Sequence, residues 1–332
     1  MSVSKGLGLE RLRASSISGE RQVLFAALAV FWAWLLVRWV YDFTLGRWGV
    51  GPGAGENFIS PAPVEAVAAT LEGSVVALGP VRLPVDWLAA LVDGVALAID
   101  IGPALATGAW YTVVITSVAI VLGFFIAVPM AVLRVYGGPF RWVSLAYTEL
   151  IRGTPLLAQL FVLYYTPYLA IWLNDMETVG QGFVPDYAFW IAIIGFTING
   201  SAYQAEYIRG ALESVDEGQL TAARALGLSK LEGIRHVVLP QTLRYAIPAW
   251  TNELVYLIKY SSLAGFITVP ELYYRASRIA SSTFEYTPIF TLLALVYIGI
   301  VLSATELMSD VERRVSVPGI GGADGRQQGG TE

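Results

Sequence analysis

The chain has 332 residues, 55% of them hydrophobic and only 14% charged, against roughly a quarter charged in soluble domains; its mean hydropathy is +0.59, which excludes an ordinary water-soluble globule. With no cysteine and a single histidine, His236, it can build no disulfide, thiolate nucleophile, cysteine-ligated metal centre or multi-histidine metal site. A net charge of -5 supplies no basic field for nucleic acid.

A helix crosses the bilayer's hydrocarbon, about 30 Å thick, with about 20 largely apolar residues, because unpaired backbone groups are intolerable there. Six stretches meet this, so the predicted fold is an all-α polytopic membrane helix bundle of about six transmembrane helices. The first, Gln22 to Tyr41, follows a cytoplasmic segment 1–21 and contains Arg38, near enough its end to snorkel. Its basic flank resembles a secretory signal, but the core is long and no small-residue cleavage site follows, so a retained anchor is expected. The second is Ala109 to Leu133; the third, Thr154 to Asn174, contains Pro155 and Pro167, read as kinks. Tyr187 to Ala205 is uncharged, Tyr245 to Pro270 contains Glu253 and Lys259, and Tyr286 to Thr305 is uncharged.

Between the first two spans lies a Gly/Pro-rich segment, 42–108, expected outside the cytoplasm. Within it Val85 to Ile101 is helical in pattern, and Asp86, Asp93 and Asp100, spaced by seven, share one face. Three aspartates are expensive in lipid, so a separate helix lying at the membrane surface with a wet acidic stripe is predicted. Cytoplasmic loops hold the excess of lysine and arginine. Placing Met1 and Glu332 inside puts 15 of the 21 basic residues there. The tail, 312–332, with its Gly-Gly and Gln-Gln repeats after Ser316, is expected to be disordered.

The strongest signal is the polar, helical loop 206–244. Leu220 to Leu226 makes a short helix carrying small Ala222, Ala223 and Ala225, which let another protein approach closely. Gly227 ends it, since glycine takes positive φ cheaply. Ser229 and Glu232 have the spacing of a capping box that opens a second helix, and Pro240 is expected to stop that helix. The pattern predicts a helix-turn-helix projecting from the membrane. On pattern alone it is equally an ordinary solvated hairpin, and His236 reads as one of its surface residues.

Thr221-Ala222-Ala223, Gly227 and Val237-Val238-Leu239-Pro240 resemble the EAA loop of ABC-transporter permease subunits, Glu-Ala-Ala followed by a glycine and then Ile-x-Leu-Pro. The likeness widens to the polar amino acid permeases from about Trp110 to Val311: Arg152-Gly153-Thr154-Pro155-Leu156-Leu157 before the third span, Asn199 to Arg209 at the end of the fourth, and Asn252-Glu253, Lys259, Ser261-Ser262-Leu263 and Val269-Pro270-Glu271-Leu272 in the fifth. Thr221 departs from the family's glutamate. The resemblance implies a permease core over 109–311, preceded by the additional anchor 22–41. It implies an importer in which Thr221, Ala222, Ala223, Gly227, Leu239 and Pro240 couple the chain to a separate pair of ATP-binding subunits. A second permease subunit, identical or not, an extracytoplasmic amino-acid-binding protein and the lipid bilayer complete the implied partners. The chain has no Gly-x-x-x-x-Gly-Lys-Ser/Thr loop of its own. No cofactor is expected on it, ATP and Mg being used by the partner ATPase, and no catalytic residue or metal site is predicted.

Intramembrane polar groups are site candidates by default. Asn199, Tyr203 and Glu206 recur on one face of the fourth helix, and Asn252, Glu253 and Lys259 lie on the fifth. A zwitterion's ammonium could meet Glu253 or Glu206, and its carboxylate the amides, hydroxyls or Lys259; pairing of these groups with one another across the bundle is the competing reading. An ion-coupled secondary transporter or channel would also carry such charges, but would need no docking shape in a cytoplasmic loop. An intramembrane enzyme is disfavoured because Gly-x-Ser-x-Gly and His-Glu-x-x-His are both missing.

Overall fold

The computed structural model describes residues 4–72, 74–78, 81–84, 86–180 and 184–315. In chain order these form α1 (Ser4–Phe43), α2 (Ala62–Leu71), a hairpin of β1 (Val75–Leu78) and β2 (Val81–Pro84), α3 (Asp86–Tyr136), α4 (Arg141–Arg152), α5 (Leu156–Tyr165), α6 (Pro167–Asn174) and α7 (Tyr187–Ser214). There follow α8 (Glu217–Ala225), α9 (Lys230–Gly233), a π-turn at Ile234–Val238, α10 (Leu239–Tyr260), a 3-10 segment at Ser261–Ile267, α11 (Leu272–Thr283) and α12 (Tyr286–Val315). The antiparallel pair of four-residue strands, Val75 opposite Pro84, is a small departure from an all-helical chain. The expected disordered tail from Ser316 lies outside the described residues.

Among the described residues, Arg21–Phe43, α3 and α12 are long and apolar enough to cross a membrane, and α5 with α6 makes a fourth if that bent pair is one span. The predicted fourth and fifth spans fall on α7 and α10, which are long enough at 28 and 22 residues but carry many polar groups. The break in the predicted third span is sharp: α5 and α6 are bent by 64°. Thr166, pushed out of the helical region by the proline that follows it, is extended at φ -72°, ψ 108°.

The chain divides into two compact units, residues 1–111 with 270–299 and residues 112–269 with 300–332. In the first, α1 meets α3 through aromatic side chains. The Trp39 indole donates to the Ala106 carbonyl at 2.6 Å, the Phe43 and Trp110 rings lie 5.1 Å apart, and Trp34 covers Gly102. Two expectations need correction here. The stretch expected to be a separate surface helix, Val85 to Ile101, is instead the start of α3, which runs unbroken for 51 residues, about 76 Å at about 1.5 Å per residue. Pro103 and the glycines at 94, 102 and 108 weaken that helix without breaking it; Asp86, Asp93 and Asp100 do remain on its exposed side. Arg38 does not snorkel: it is 1% exposed and grips Asp42 with Nε and Nη2 at 2.8 and 2.7 Å. Its Nη1 donates to the Glu56 carbonyl at 2.6 Å, and the guanidinium lies 4.6 Å from the centre of the Phe58 ring. The Gly55 N–H also donates to Asp42, at 3.0 Å. One buried ion pair therefore folds the loop after α1 back onto the helix.

The second unit is organised around α7, whose small residues admit close neighbours. A Cβ on Gly195 would stand 2.6 Å from Leu160 on α5, and one on Gly123 would stand 3.3 Å from the Ser201 backbone nitrogen. The Tyr147 hydroxyl on α4 donates to the Ile198 carbonyl at 3.0 Å. Toward the end of α7, Ala205, Ile208 and Leu212 pack with Ala127 and Ala131 of α3 and with Val238 and Ala246 into a buried cluster.

Replacing Arg38 with Met should cost about 3 kcal/mol, because Asp42 loses both guanidinium bonds while still buried and keeps only the Gly55 N–H and the more distant Arg275 charge. The double variant Arg38→Met/Asp42→Leu should recover most of that. Thermal melting of the detergent-purified protein measures both, and a single variant as stable as the parent would remove the ion pair as the clasp of this loop.

Candidate coupling arm and polar site

The arm 206–244 is built by cap chemistry. The Asp216 carboxylate accepts from the Gly218 N–H at 2.6 Å and opens α8. At the other end Gly227 takes φ +90°; its N–H donates to the Arg224 carbonyl at 3.0 Å and the Leu228 N–H to the Ala223 carbonyl at 3.2 Å. Those two bonds are the Schellman closure. Two residues later the predicted capping box is present: the Glu232 N–H donates to Ser229 Oγ at 3.3 Å and the Ser229 N–H to Glu232 Oε2 at 2.8 Å. The Ser229 hydroxyl and then its backbone hold the Glu232 carboxyl below its ordinary value.

The helices on either side of this turn pack closely. A Cβ on Gly233 would lie 2.8 Å from Leu220 and 3.3 Å from Ala223, so Ala223 is buried inside the arm at 3% exposure. Thr221, Ala222 and Gly227 face outward, with Leu226 85% exposed beside them. Lys230 Nζ donates to the Tyr136 carbonyl at 3.0 Å, tying the arm to the end of α3. Pro240 does not stop the second helix, contrary to expectation. The chain widens to a π-turn over Ile234–Val238, the Leu239 N–H reaches back to the Ile234 carbonyl, and Leu239 and Pro240 begin α10. A proline in the first turn of a helix needs no N–H partner, and the wide turn just before it relieves the clash that a regular helix would impose.

The sequence-predicted polar residues separate into three settings. Asn199, 6% exposed, donates to Gln159 Oε1 at 3.1 Å, and the Gln159 amide donates to the Ile151 carbonyl and Thr154 Oγ1, both at 2.7 Å. It thus ties α7 to the start of the bent pair. Tyr203 and Glu206 gather around arginines: the Arg152 guanidinium lies 5.4 Å from the Tyr203 ring centre and 3.9 Å from Glu206. Arg209 donates to Glu206 from Nε at 2.8 Å and from Nη2 at 2.5 Å. Glu206 thus already has a bonded cation on its own helix. On α10, Glu253 is 4% exposed and accepts from the Tyr207 hydroxyl. Asn252 and Lys259 are exposed on another side of the same helix, Lys259 Nζ standing 5.9 Å from the Tyr256 ring centre. Sequence reasoning passed over Tyr207 and the wholly buried Gln204, although polar residues at 197, 201 and 204 in an apolar helix are a legible signal.

A helix bundle with spans long enough to cross a membrane carries a capped helix-turn-helix arm on one inter-helix connection. Residues 119–317 match the family described as the binding-protein-dependent transport system inner membrane component. The chain is 37% identical over 220 residues to the probable amino-acid ABC transporter permease protein YckA of Bacillus subtilis, an alignment that covers 66% of this chain and 92% of YckA. To the arginine transport system permease protein ArgU of Corynebacterium glutamicum it is 33% identical over 275 residues, 75% of this chain and 82% of ArgU. Among solved structures, an amino acid ABC transporter crystallised with histidines is similar at 32% identity and a TM-score of 0.53, over 64% of this chain and 94% of that one. The MetNI methionine ABC transporter, at 23% identity and a TM-score of 0.55 over 64% of this chain and 97% of its own, shares the fold. The chain belongs to the binding-protein-dependent transport family and is a multi-pass membrane permease.

Gly227→Val places a β-branched residue at positive φ, a strained conformation. It should open the two closing bonds, raising hydrogen exchange at the 227 and 228 amides at least tenfold without moving the melting transition of the bundle. Protection of the Glu232 amide should be full at neutral pH and fall as pH drops, since a carboxyl held below its unfolded value contributes stability that is lost on protonation. Unchanged exchange in the Val variant would show that the turn does not hold the arm.

Proposed function

We propose that this chain is the transmembrane permease subunit of an ATP-driven importer of amino acids, paired with a second permease subunit and driven by two separate ATP-binding subunits that use ATP and Mg. The observation that carries the reading is the arm: a short helix, closed at both ends by caps, that turns Thr221, Ala222, Gly227 and Leu226 outward at the far end of α7. Small exposed side chains suit a helix that seats in a groove on another protein. Capped ends let it transmit force rather than fray. An extracytoplasmic amino-acid-binding protein delivers the solute, consistent with the family's binding-protein dependence and with relatives named for amino acids. The chain itself carries no catalytic residue in this scheme.

Alternating access needs two packings of the bundle, with ATP biasing one of them. The solute path is assigned to the polar side of α10, where Asn252 and Lys259 are exposed, and to Glu253 behind it. Glu206, neutralised by Arg209 and Arg152, holds the ends of the helices together instead. The excess of basic residues supports an arm and both termini in the cytoplasm.

Co-reconstitution with the ATPase subunits and binding protein in proteoliposomes should give uptake of a labelled amino acid that requires internal or external ATP on the arm's side; ATP-independent, ion-driven uptake would refute the reading. Cysteine labelling at Gly55 and Gly227 should report opposite sides of the membrane, with a label at Lys5 on the side of Gly227. Glu253→Gln keeps size and removes charge, so it should lower uptake severalfold or more while leaving assembly with the ATPase intact. Loss of assembly and of thermal stability instead would make Glu253 a structural partner of Tyr207.

A further inference from the structure

In the first unit, the end of α1, the loop after it, α3 and α11 border a pocket of about 200 Å3, with Trp39, Asp42, Arg47, Gly55, Thr107 and Arg275 in its lining. That is below the range of drug-sized ligand sites, about 300–1,000 Å3, and leaves room for an ion or a small acid. The neutral donors of the lining are already spent inside the protein. The Trp39 indole donates to the Ala106 carbonyl at 2.6 Å, the Thr107 hydroxyl to the Pro103 carbonyl at 3.0 Å and the Gly55 N–H to Asp42 at 3.0 Å. Asp42, the one carboxylate of the lining, is spent as well: Arg38 takes both its oxygens, at 2.8 and 2.7 Å.

Arg275 is not spent. It is half-buried, and its Nε donates to the Pro270 carbonyl at 3.1 Å. Among the described residues neither Nη nitrogen has an acceptor and no carboxylate stands within ion-pair distance; Asp42 attracts the guanidinium only from further off. A charge taken partly out of water is costly without a partner. Arg47 adds a second guanidinium to the same lining, 5.7 Å from the centre of the Phe43 ring. The pocket therefore offers donors and lacks an acceptor, and the Nη edge of one guanidinium matches the two oxygens of a carboxylate.

We infer that this pocket binds a small monocarboxylate of the size of acetate or propionate, its oxygens on the two Nη nitrogens of Arg275, with Arg47 supplying a second positive charge. A neutral or cationic solute would leave those donors unmatched, and an acyl chain would leave the guanidinium without a partner. Chloride would meet the charge but not the fork. The inference rests on this pocket alone and does not depend on which solute the permease carries.

The test titrates the full chain, in phosphatidylcholine nanodiscs at constant ionic strength, with isotope-labelled acetate, binding being read from the broadening of its NMR line. Binding should saturate, and propionate should displace the acetate, chloride more weakly and acetamide not at all. Arg275→Gln should weaken binding about tenfold or more, the range for hydrogen bonds to a charged group, and Arg275→Lys, which keeps the charge and loses the fork, should weaken it as well. Arg47→Gln, at an exposed position, should weaken it roughly threefold. Ala54→Leu, on the loop side of the lining, narrows the pocket with both arginines in place; it should abolish binding and serves where an Arg275 variant fails to assemble. No saturable binding to the parent, the pocket then holding water alone, overturns the proposal. So does binding unchanged in Arg275→Gln or in Ala54→Leu, and so does chloride that displaces acetate as well as propionate does. Failure of amino acid uptake with acetate binding intact would count against the transport reading and leave this one standing.

Discussion

Close approach to α7 is the constraint on which the second unit rests. Within hydrocarbon no hydrophobic effect drives helices together, so association falls to van der Waals packing and to hydrogen bonds between helices. Glycine at 195 and 200, alanine at 202 and 205 and serine at 201 let α4, α5 and α10 come near enough for both. A Cβ on Gly200 would meet Leu257 and Glu253 at ordinary contact distances of 3.5 and 3.6 Å, so α10 lies close beside α7 at the level of the Tyr207–Glu253 bond. The polar contacts along α7 follow from the same closeness: Tyr147 reaches Ile198, Gln159 receives Asn199, and Trp250 reaches Gln204 only because the backbones are drawn in.

That economy decides how the polar groups divide between holding and carrying. A group that already has partners costs little where it is and gains little from a solute. Asn199 and Glu206 are of this kind, each engaged by a neighbouring element or by an arginine on its own helix. Asn252 and Lys259 project from α10 on a side that the described residues of the unit do not cover, and Glu253 has a single hydroxyl partner. Differential contact with the solute in two packings is what a transport cycle must exploit; under the proposed reading, groups not committed to the bundle supply it.

What was legible in the sequence was legible because its cause is local. Gly227, the Ser229–Glu232 box and the bend at Pro167 each depend on residues within a few positions, and each stands where its residue types place it. The expectations that failed depend on more than neighbours. Pro240 was read as a stop because proline ends a regular helix; a π-turn removes the clash, and nothing in the local residue types announces that the helix will widen. Asp86, Asp93 and Asp100 mark a wet face, but a wet face is equally compatible with a separate helix and with the first turns of a long one, so the unbroken course of α3 was hidden. Arg38 was read as snorkelling because the loop that buries it, through the Glu56 carbonyl and the Phe58 ring, is non-periodic; Asp42, four residues on, was the local half of the signal. Gln204 was missed because its role arises from Trp250, a residue on another helix.

The failure of Pro240 to end the helix changes the mechanics of the arm. Had the chain stopped there, a flexible joint would lie between α9 and α10, and displacement of α8 would be lost in it. Instead α9, the π-turn and α10 form a continuous helical path, with Gly233 seated against Leu220 and Ala223 at one end and, toward the other, Glu253 about two and a half turns and Lys259 about four turns beyond Arg244. A π-turn is a wider, less regular turn that often marks functional sites in helices, so this path can bend at one defined place while remaining hydrogen-bonded. Under the proposed reading, force applied to the exposed side of α8 has a packed path into α10, through Leu220 and Ala223 against Gly233 at the start of that helical path.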